Sequence, residues 1–238
     1  MLNSSIMAKA LVLIGLFLIF FASRAQLPSD LPPNSAPFNF SGMQVATFDH
    51  RYDGVKGYHT LLKDFVRGVV EMKKDQRYEN VLINYDAVAD NLIAKSDKME
   101  GAVLVRKDLV LRFVLKTDEE EYVFEKKTVK GMPAFLLKLT YEREIFYCRI
   151  TKSIKKVDLG GPYNTSQGFS DEFKEELTYF YELVDGSLQE ITASKKGIIR
   201  AFPQLEKELN QYFKNNKMDF NSSQQAQLLF MFISESLK

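Results

Sequence analysis

The sequence predicts an α+β fold that is mainly β, an antiparallel meander or partly open barrel followed by a C-terminal helical hairpin. Two observations support this fold class. Short segments rich in β-branched and aromatic residues, separated by Gly, Asp, Asn or charged turns, follow one another from residue 68 to residue 192. After "TASKKGIIR", which ends at Arg200, the spacing of apolar residues changes from two to about 3.6, which is the period of a helix.

The predicted strands are short and regularly spaced, as in an antiparallel meander. A helical turn or packed loop before residue 68 is expected to lead into the first of them. They span residues 68–72, 78–85, 102–105, 109–115, 121–126, 134–140, 145–151, 178–183 and 187–192, with a return strand that begins at Leu92.

Two helices are predicted after the strands. Residues 203–214 are amphipathic and begin with a proline, which suits the first turn of a helix. Ser222 or Ser223 should cap the second helix, which runs to about Leu237. Its segment "AQLLFMFI" is apolar nearly all round, so the sheet, the other helix or another chain must bury it. A homo-oligomer would form through four of its residues, Phe230, Met231, Phe232 and Ile233.

The N-terminus carries the pattern of an export signal. Lys9 precedes the apolar run "ALVLIGLFLIFFA", and small residues at Ser23 and Ala25 predict cleavage between Ala25 and Gln26. The run has 13 residues, whereas a membrane-spanning helix needs about 20. We therefore expect a signal peptide and a periplasmic or extracellular protein, with no membrane span in the mature chain.

The chain divides into four expected regions. Residues 1–25 are the signal peptide, and residues 26–55, which begin "QLPSDLPPNSAPFNFSGM", are an extended linker rich in Pro, Ser and Asn. Residues 56–194 form the antiparallel β-rich domain, and residues 195–238 the helical hairpin packed on or beside it. Without residues 1–25 the chain has 30 basic and 31 acidic residues, so no strong field attracts nucleic acid or an anionic membrane.

The residues that usually carry catalysis or metal binding are few. His50 and His59 are the two histidines, and they lack the close spacing typical of zinc ligands. Cys148 is the single cysteine, so no intrachain disulfide can form, and its apolar context indicates a buried, inert thiol. Serine-hydrolase and phosphate-loop motifs do not match. We expect no catalytic residue, cofactor site or metal site.

One polar cluster raises a question of chemistry. In "QRYENVLINYDAVADNLIAKS" the oxygen-bearing residues Asn84, Asp86, Asp90 and Asn91 could bind calcium or form a turn between two strands. A calcium loop requires ligands at closer, alternating positions, and apolar residues 87–89 occupy that interval. Asn and Asp favour turns because their side chains bond the nearby backbone. The turn is the preferred interpretation.

The segment around this cluster has the pattern G-x-V, a short turn, Y-x-N-V, then N-Y-D, and "YELVDGSLQEI" and "FPQLEKELNQYFKNNKMDF" follow later in the chain. In these features the chain resembles a group of exported Bacteroidota proteins of uncharacterised function. This chain has "KKDQR" where the group more often has Asp-Gly in the first turn. The resemblance implies export, a β-rich architecture and a helical C-terminus, and no catalytic residues. Eight residues match the pattern, namely Gly68, Val70, Tyr78, Asn80, Val81, Asn84, Tyr85 and Asp86.

Two functions remain open. The first is a non-enzymatic binding or structural component of the cell envelope, with an unknown protein or apolar ligand as its partner. The alternative is a carboxylate-dependent hydrolase with a site near the loop of residues 158–173, the longest predicted loop of the β-domain. Two carboxylates that converge in a closed cleft, one of them shielded from water, would favour the enzyme.

Overall fold

A computed structural model of the chain describes residues 38–40, 43–46, 50–96, 101–140, 144–156 and 171–237. These residues all belong to one compact unit, Pro33–Lys238. The chain in this unit forms a single antiparallel sheet followed by three helices, which confirms the mainly β class.

The sheet contains eleven strands among the described residues. Neighbours along the sheet follow the order β1-β5-β4-β3-β2-β6-β7-β8-β9-β10-β11, and every strand pair is antiparallel. The strands are β1 (Gln44–Val45), β2 (Val66–Met72), β3 (Gln76–Asp86), β4 (Asn91–Lys95), β5 (Ala102–Leu104), β6 (Val110–Lys116), β7 (Glu121–Val129), β8 (Met132–Lys138), β9 (Phe146–Lys155), β10 (Glu172–Glu182) and β11 (Leu188–Ile191).

Three helices follow the sheet. They are α1 (Lys195–Ala201), α2 (Glu206–Asn215) and α3 (Ser223–Ser236), and a 3-10 turn at Pro203–Leu205 leads into α2. Ser222 caps α3 by accepting a hydrogen bond from the backbone of Gln225, as the sequence predicts. Helix α1 was not predicted, and it precedes the two helices that were. Its sequence, "KKGIIRA", has a glycine and two β-branched residues, which are weak helix formers.

One face of the sheet carries the main core. Four fully buried rings lie at its centre, with Phe113 stacked on Phe124 at 4.8 Å and Tyr85 and Phe135 beside them. The helices cover the continuation of the same face on β9 and β10, where the ring of Phe230 stacks on Phe146 at 4.6 Å. This burial, rather than helix propensity, stabilises the helical layer.

A second, smaller core lies on the other face. It consists of Val129, Ala134, Leu136, Tyr147 and Phe180. The first three belong to β7 and β8 and the last two to β9 and β10, so the outer faces of these two strand pairs pack against each other. We call the region where these outer faces meet the crease.

Glycine and asparagine in the resembling pattern have backbone roles. A Cβ atom at Gly68 would lie 2.2 Å from the carbonyl oxygen of Val114, so only glycine fits there. The register between β2 and β3 shifts beside Gly68, and Asn80 in that irregularity has a left-handed φ of 57°. Asparagine tolerates this conformation better than most residues do.

Part of the predicted linker contacts the sheet. Gln44 and Val45 pair with β5, and the rings of Phe38 and Phe40 pack against the main core. The alternation of two aromatic residues in "FNF" is a weak strand signal, which the surrounding Pro and Ser residues obscure. Residues 1–37 lie outside the described residues, so the expected signal peptide is not placed.

The first hairpin turn joins β2 to β3 and contains "KKDQR", where the resembling group more often has Asp-Gly. Two non-glycine residues in this turn have a positive φ, Lys74 at 63° and Asp75 at 54°. Replacing Lys74 by glycine should leave the free energy of unfolding unchanged or raise it by up to about 1 kcal/mol, because glycine adopts this conformation without steric cost. Urea denaturation would measure the change.

Lys73→Gly is the matched control, because Lys73 is not among the residues with positive φ. Glycine there only adds freedom to the unfolded chain, so the variant should lose about 0.5–1 kcal/mol. Equal destabilisation of both variants would contradict the turn geometry.

Candidate functional site

The polar cluster singled out in the sequence forms the corner between β3 and β4. Asp86 pairs with Asn91 across the hairpin, and the Asp86 Oδ1 atom accepts hydrogen bonds from the backbone of Val88 at 3.0 Å and Ala89 at 2.9 Å. Asp90 closes the turn with a left-handed φ of 53°. The turn interpretation is therefore confirmed, and residues 84–91 are called the corner below.

Asn84 at the start of the corner holds a separate stretch of chain, residues 56–64. Its amide nitrogen donates to the carbonyl oxygens of Leu62 at 2.8 Å and Asp64 at 3.1 Å, and its oxygen accepts from the backbone of Leu62. The side chain is fully buried. Because the chain itself uses both polar atoms, Asn84 presents no oxygen to a cation.

Residues 56–64, the bridging segment, connect the corner to β10. At one end Lys56 exchanges backbone hydrogen bonds with Asp171 and Phe173, at 2.7 and 3.0 Å. At the other end Thr60 forms a bridge with Asp86. Lys152 on β9 donates from Nζ to the carbonyl oxygen of Thr60 at 2.7 Å, and burial lowers the pKa of this lysine.

Asp90 is the most highly coordinated carboxylate of the corner. Its Oδ1 atom accepts from the hydroxyl of Tyr85 at 2.9 Å and from the backbone of Phe135 at 3.2 Å, and its Oδ2 atom lies 2.8 Å from Lys107 Nζ. Arg149 is 3.8 Å away. Burial, reinforced by the charge of Asp90, raises the pKa of Tyr85, so its hydroxyl remains a hydrogen-bond donor.

The corner lies where β8 and β9 separate. These strands pair at Leu137 and Cys148, and the same register would place Phe135 opposite Ile150. Instead the backbone N–H of Phe135 donates to Asp90, and the carbonyl oxygen of Ile150 lies 3.4 Å from the Tyr85 hydroxyl. Two residues further along β9, the backbone of Lys152 donates to the Ala87 carbonyl oxygen at 2.9 Å. The corner thus accepts hydrogen bonds from backbone groups of β8 and β9 that do not pair with each other here.

The two acidic residues of the corner are therefore engaged by donors from the chain. No group of three or more residues capable of holding a metal ion occurs in the described part of the chain. The corner resembles a ligand site in sequence because the same oxygen-rich residues that suit a cation also suit a buried turn.

A second polar cluster lies in the crease, and sequence analysis did not identify it. The hydroxyl of Tyr147 on β9 lies 2.7 Å from Glu125 Oε2 and 3.3 Å from Glu182 Oε2. Lys127 contacts Glu182 at 2.7 Å, and Lys138 contacts Glu125 at 3.2 Å. The residues come from four strands, so no local spacing in the sequence could have indicated this crease cluster.

One carboxylate of the crease cluster, Glu125, is held in its charged form. Two carboxylates converge on one hydroxyl, but a hydrolase needs one of them to carry a proton near neutral pH. Burial alone would raise the pKa of Glu125, yet the hydrogen bond from Tyr147 and the charges of Lys138 and Lys127 outweigh it, and the pKa is lowered. Burial raises the pKa of Tyr147, which stays neutral.

The other candidate residues have ordinary surroundings. The His59 ring stacks on Tyr52 at 4.9 Å, and the side chain of His50 lies outside the described residues. Cys148 is fully buried and its pKa is raised by burial, which agrees with an inert thiol. The acidic run at residues 118–121 lies at the hairpin turn between β6 and β7 and at the start of β7.

The loop proposed for a hydrolase site is described only at its end. Residues 158–170 lie outside the described residues. The described carboxylates at its C-terminal end contact lysines, with Glu172 3.5 Å from Lys155 and Glu175 3.7 Å from Lys152.

Two surface depressions lie among the described residues. A groove of about 260 Å³ lies beside Gly68 and is lined by charged and amide side chains, among them Arg67, Glu79, Asn80 and Lys116. A second, of about 20 Å³, lies between β8 and the start of α3. Its volume suits about one water molecule.

Comparison with known proteins adds no assignment: no family model matches the chain, and searches of curated proteins and solved structures give no significant match. Within the described residues, no helix has both the length and the apolar character needed to cross a membrane.

Removing the Tyr85 hydroxyl or the Asp90 charge should destabilise the protein through the same interaction. Tyr85→Phe should lower the free energy of unfolding by about 1–2 kcal/mol, since it removes a buried hydrogen bond to a carboxylate. In the double variant with Asp90→Asn we expect a coupling energy of about 1 kcal/mol, measured by chemical denaturation.

Tyr179→Phe provides the matched control, because the Tyr179 hydroxyl donates to the Phe220 carbonyl oxygen, away from the corner. Its effect should add to that of Asp90→Asn within about 0.5 kcal/mol. Strict additivity of Tyr85→Phe with Asp90→Asn would contradict the proposed role of this pair.

The lowered pKa of Glu125 predicts a dependence of stability on pH. A carboxyl group whose pKa is lower in the folded chain than in the unfolded chain stabilises the fold at pH values above its unfolded pKa of about 4.3. This contribution disappears as the pH falls through the pKa of the folded chain. Glu125→Gln should therefore cost about 1–3 kcal/mol at pH 7 and much less at pH 3, as measured by thermal or chemical unfolding.

Glu190→Gln is the comparison variant. Its partner Lys130 is 79% exposed and Glu190 itself is 49% exposed, so loss of this surface pair should cost less than about 1 kcal/mol at any pH. A cost for Glu125→Gln that is independent of pH would show that the carboxylate charge contributes nothing.

Proposed function

We propose that this chain is an exported, non-enzymatic binding or structural protein of the cell envelope. The observation that supports the non-enzymatic part is the state of the crease cluster. Its two converging carboxylates, Glu125 and Glu182, contact lysines and a neutral tyrosine. Glu125, whose pKa these partners lower, is held in its charged form, so it contributes to the fold and supplies no proton to a substrate.

Export is supported by the sequence of residues 1–25, with its basic residue, apolar run and small residues before Gln26. The resemblance to exported Bacteroidota proteins points the same way. The pattern that carries the resemblance consists largely of residues with architectural roles, including Gly68, Asn80 and Asn84. Such a pattern is what a group with a common fold would share.

A structural role would require self-association, and α3 is the proposed contact. Phe230 and Ile233 are fully buried inside the chain's own core, whereas Met231 is 45% and Leu228 60% exposed. Of the four residues predicted for an oligomer, Met231 is therefore the one best placed to contact another copy. Phe232 is half-buried and stacks on Tyr212 at 4.8 Å.

A carboxylate-dependent hydrolase is the second candidate, and convergence of Glu125 and Glu182 is the observation that favours it. The two oxygens share the Tyr147 hydroxyl at 2.7 and 3.3 Å, so they lie no more than about 6 Å apart, and glycosidases hold their two carboxyl groups about 5–9 Å apart. The lowered pKa of Glu125 is the reason this candidate ranks second.

The test is to assay the protein, purified from its native envelope, for hydrolysis of ester, peptide and glycoside substrates, beside Glu125→Gln and Glu182→Gln. We expect no turnover that either substitution abolishes, and a co-purified ligand or partner in native mass spectrometry. Turnover lost in both variants, while Glu190→Gln retains it, would establish the hydrolase instead.

The same preparation tests self-association by light scattering. If α3 forms the contact, Met231→Glu should reduce the measured mass to that of a monomer, because a charge would be buried in the interface. Glu235→Gln, at an exposed position of the same helix, is the control. A concentration-independent monomer in the wild type would contradict the structural role.

A further inference from the structure

We propose that Phe38 and Phe40, the aromatic plug, occupy a binding site for a small apolar molecule on the main core of the sheet. This inference rests on the binding form of the proposed function. The site would be the apolar surface that the two rings cover, next to Tyr78 on β3.

The plug contributes to the core without belonging to a strand or helix. The ring of Phe38 packs edge-on against Phe40 at 5.0 Å and against Tyr78 at 5.1 Å. Both rings are half-buried, and the intervening Asn39 is exposed. Both rings therefore reach the core from a stretch of three residues.

Among the described residues, the segment that follows the plug makes a short contact with the edge of the sheet. This segment contains β1, which has two residues, and both of their side chains are exposed, Val45 by 53%. The ladder with β5 comprises two residue pairs and one further backbone bond, from Ala46 to Ala102 at 2.8 Å. Segments with few buried contacts at a sheet edge open at lower free energy than the rest of a fold.

The surface beneath the plug does not depend on it. Tyr78 pairs with Val70 in the ladder between β2 and β3, and β2 pairs on its other side with β6. Detachment of the plug would therefore expose an apolar surface while these three strands stay paired. Its shape suits a neutral molecule with the bulk of one or two aromatic rings, since two phenyl groups fill it now.

The interior of the described sheet offers no comparable alternative. The rings of Phe113, Phe124 and Phe135 contact one another and are fully buried. An apolar ligand there would have to displace side chains that belong to paired strands. The plug, unlike these rings, lies outside the paired strands.

The experiment measures binding of the neutral dye N-phenyl-1-naphthylamine to the full chain and to the double variant Phe38→Ala/Phe40→Ala by fluorescence. Removing the plug removes a competitor for the site, so the apparent Kd should fall at least tenfold. A peptide of residues 35–43, "SAPFNFSGM", should then displace the dye, and the same peptide with both phenylalanines replaced by serine should not.

Phe220→Ala/Phe232→Ala is the matched control, because these two phenylalanines are also partly buried against the same core. Equal gain of dye binding in this control would indicate general loosening and would overturn the proposal, as would unchanged binding in a plug variant that unfolds cooperatively. Neither result would change the outcome of the hydrolase assays. The dye experiment can therefore refute the proposed plug site while the proposal of a non-enzymatic protein stands, and the hydrolase assays can do the reverse.

Discussion

The fold depends on how the corner at residues 84–91 occupies the gap between β8 and β9. Where these strands separate, the backbone of Phe135 and of Lys152 would lose its partners, and unpaired buried backbone groups are costly. The carboxylate of Asp90 and the carbonyl oxygen of Ala87 accept those hydrogen bonds. Asn84 holds the bridging segment at the same place. One eight-residue stretch therefore connects β3 and β4 to β8, β9 and, through the bridging segment, β10.

In both polar clusters of the sheet, a carboxylate contacts a lysine and a tyrosine hydroxyl from the same chain. At the corner, Asp90 is balanced by Lys107 and the Tyr85 hydroxyl, and in the crease Glu125 is balanced by Lys138 and the Tyr147 hydroxyl. Each tyrosine stays protonated because burial and the adjacent carboxylate raise its pKa. Each cluster thus joins parts of the sheet that do not pair directly.

The sequence predicted β2 to β11, the corner and the two longer helices because each has a local signal: alternation, turn residues or a cap. Strand β1, in contrast, falls in the predicted linker. The sequence did not predict α1, whose glycine is required because a Cβ atom at Gly197 would lie 2.3 Å from the Thr192 carbonyl oxygen. The crease cluster was also not predicted, because Glu125, Tyr147 and Glu182 lie on three different strands and meet only when the sheet is assembled. The contact of Phe38 with Tyr78 is non-local for the same reason.

Amide hydrogen exchange at Phe135 and Lys152 tests the role of the corner most directly, because both N–H groups donate to it rather than to a neighbouring strand. In the wild type both amides should be protected as strongly as those of central strands. In Asp90→Ala the Phe135 amide should exchange much faster, while amides of β6 and β7 retain their order of protection. Rapid exchange of both amides in the wild type, or no change at Phe135 in the variant, would contradict this account.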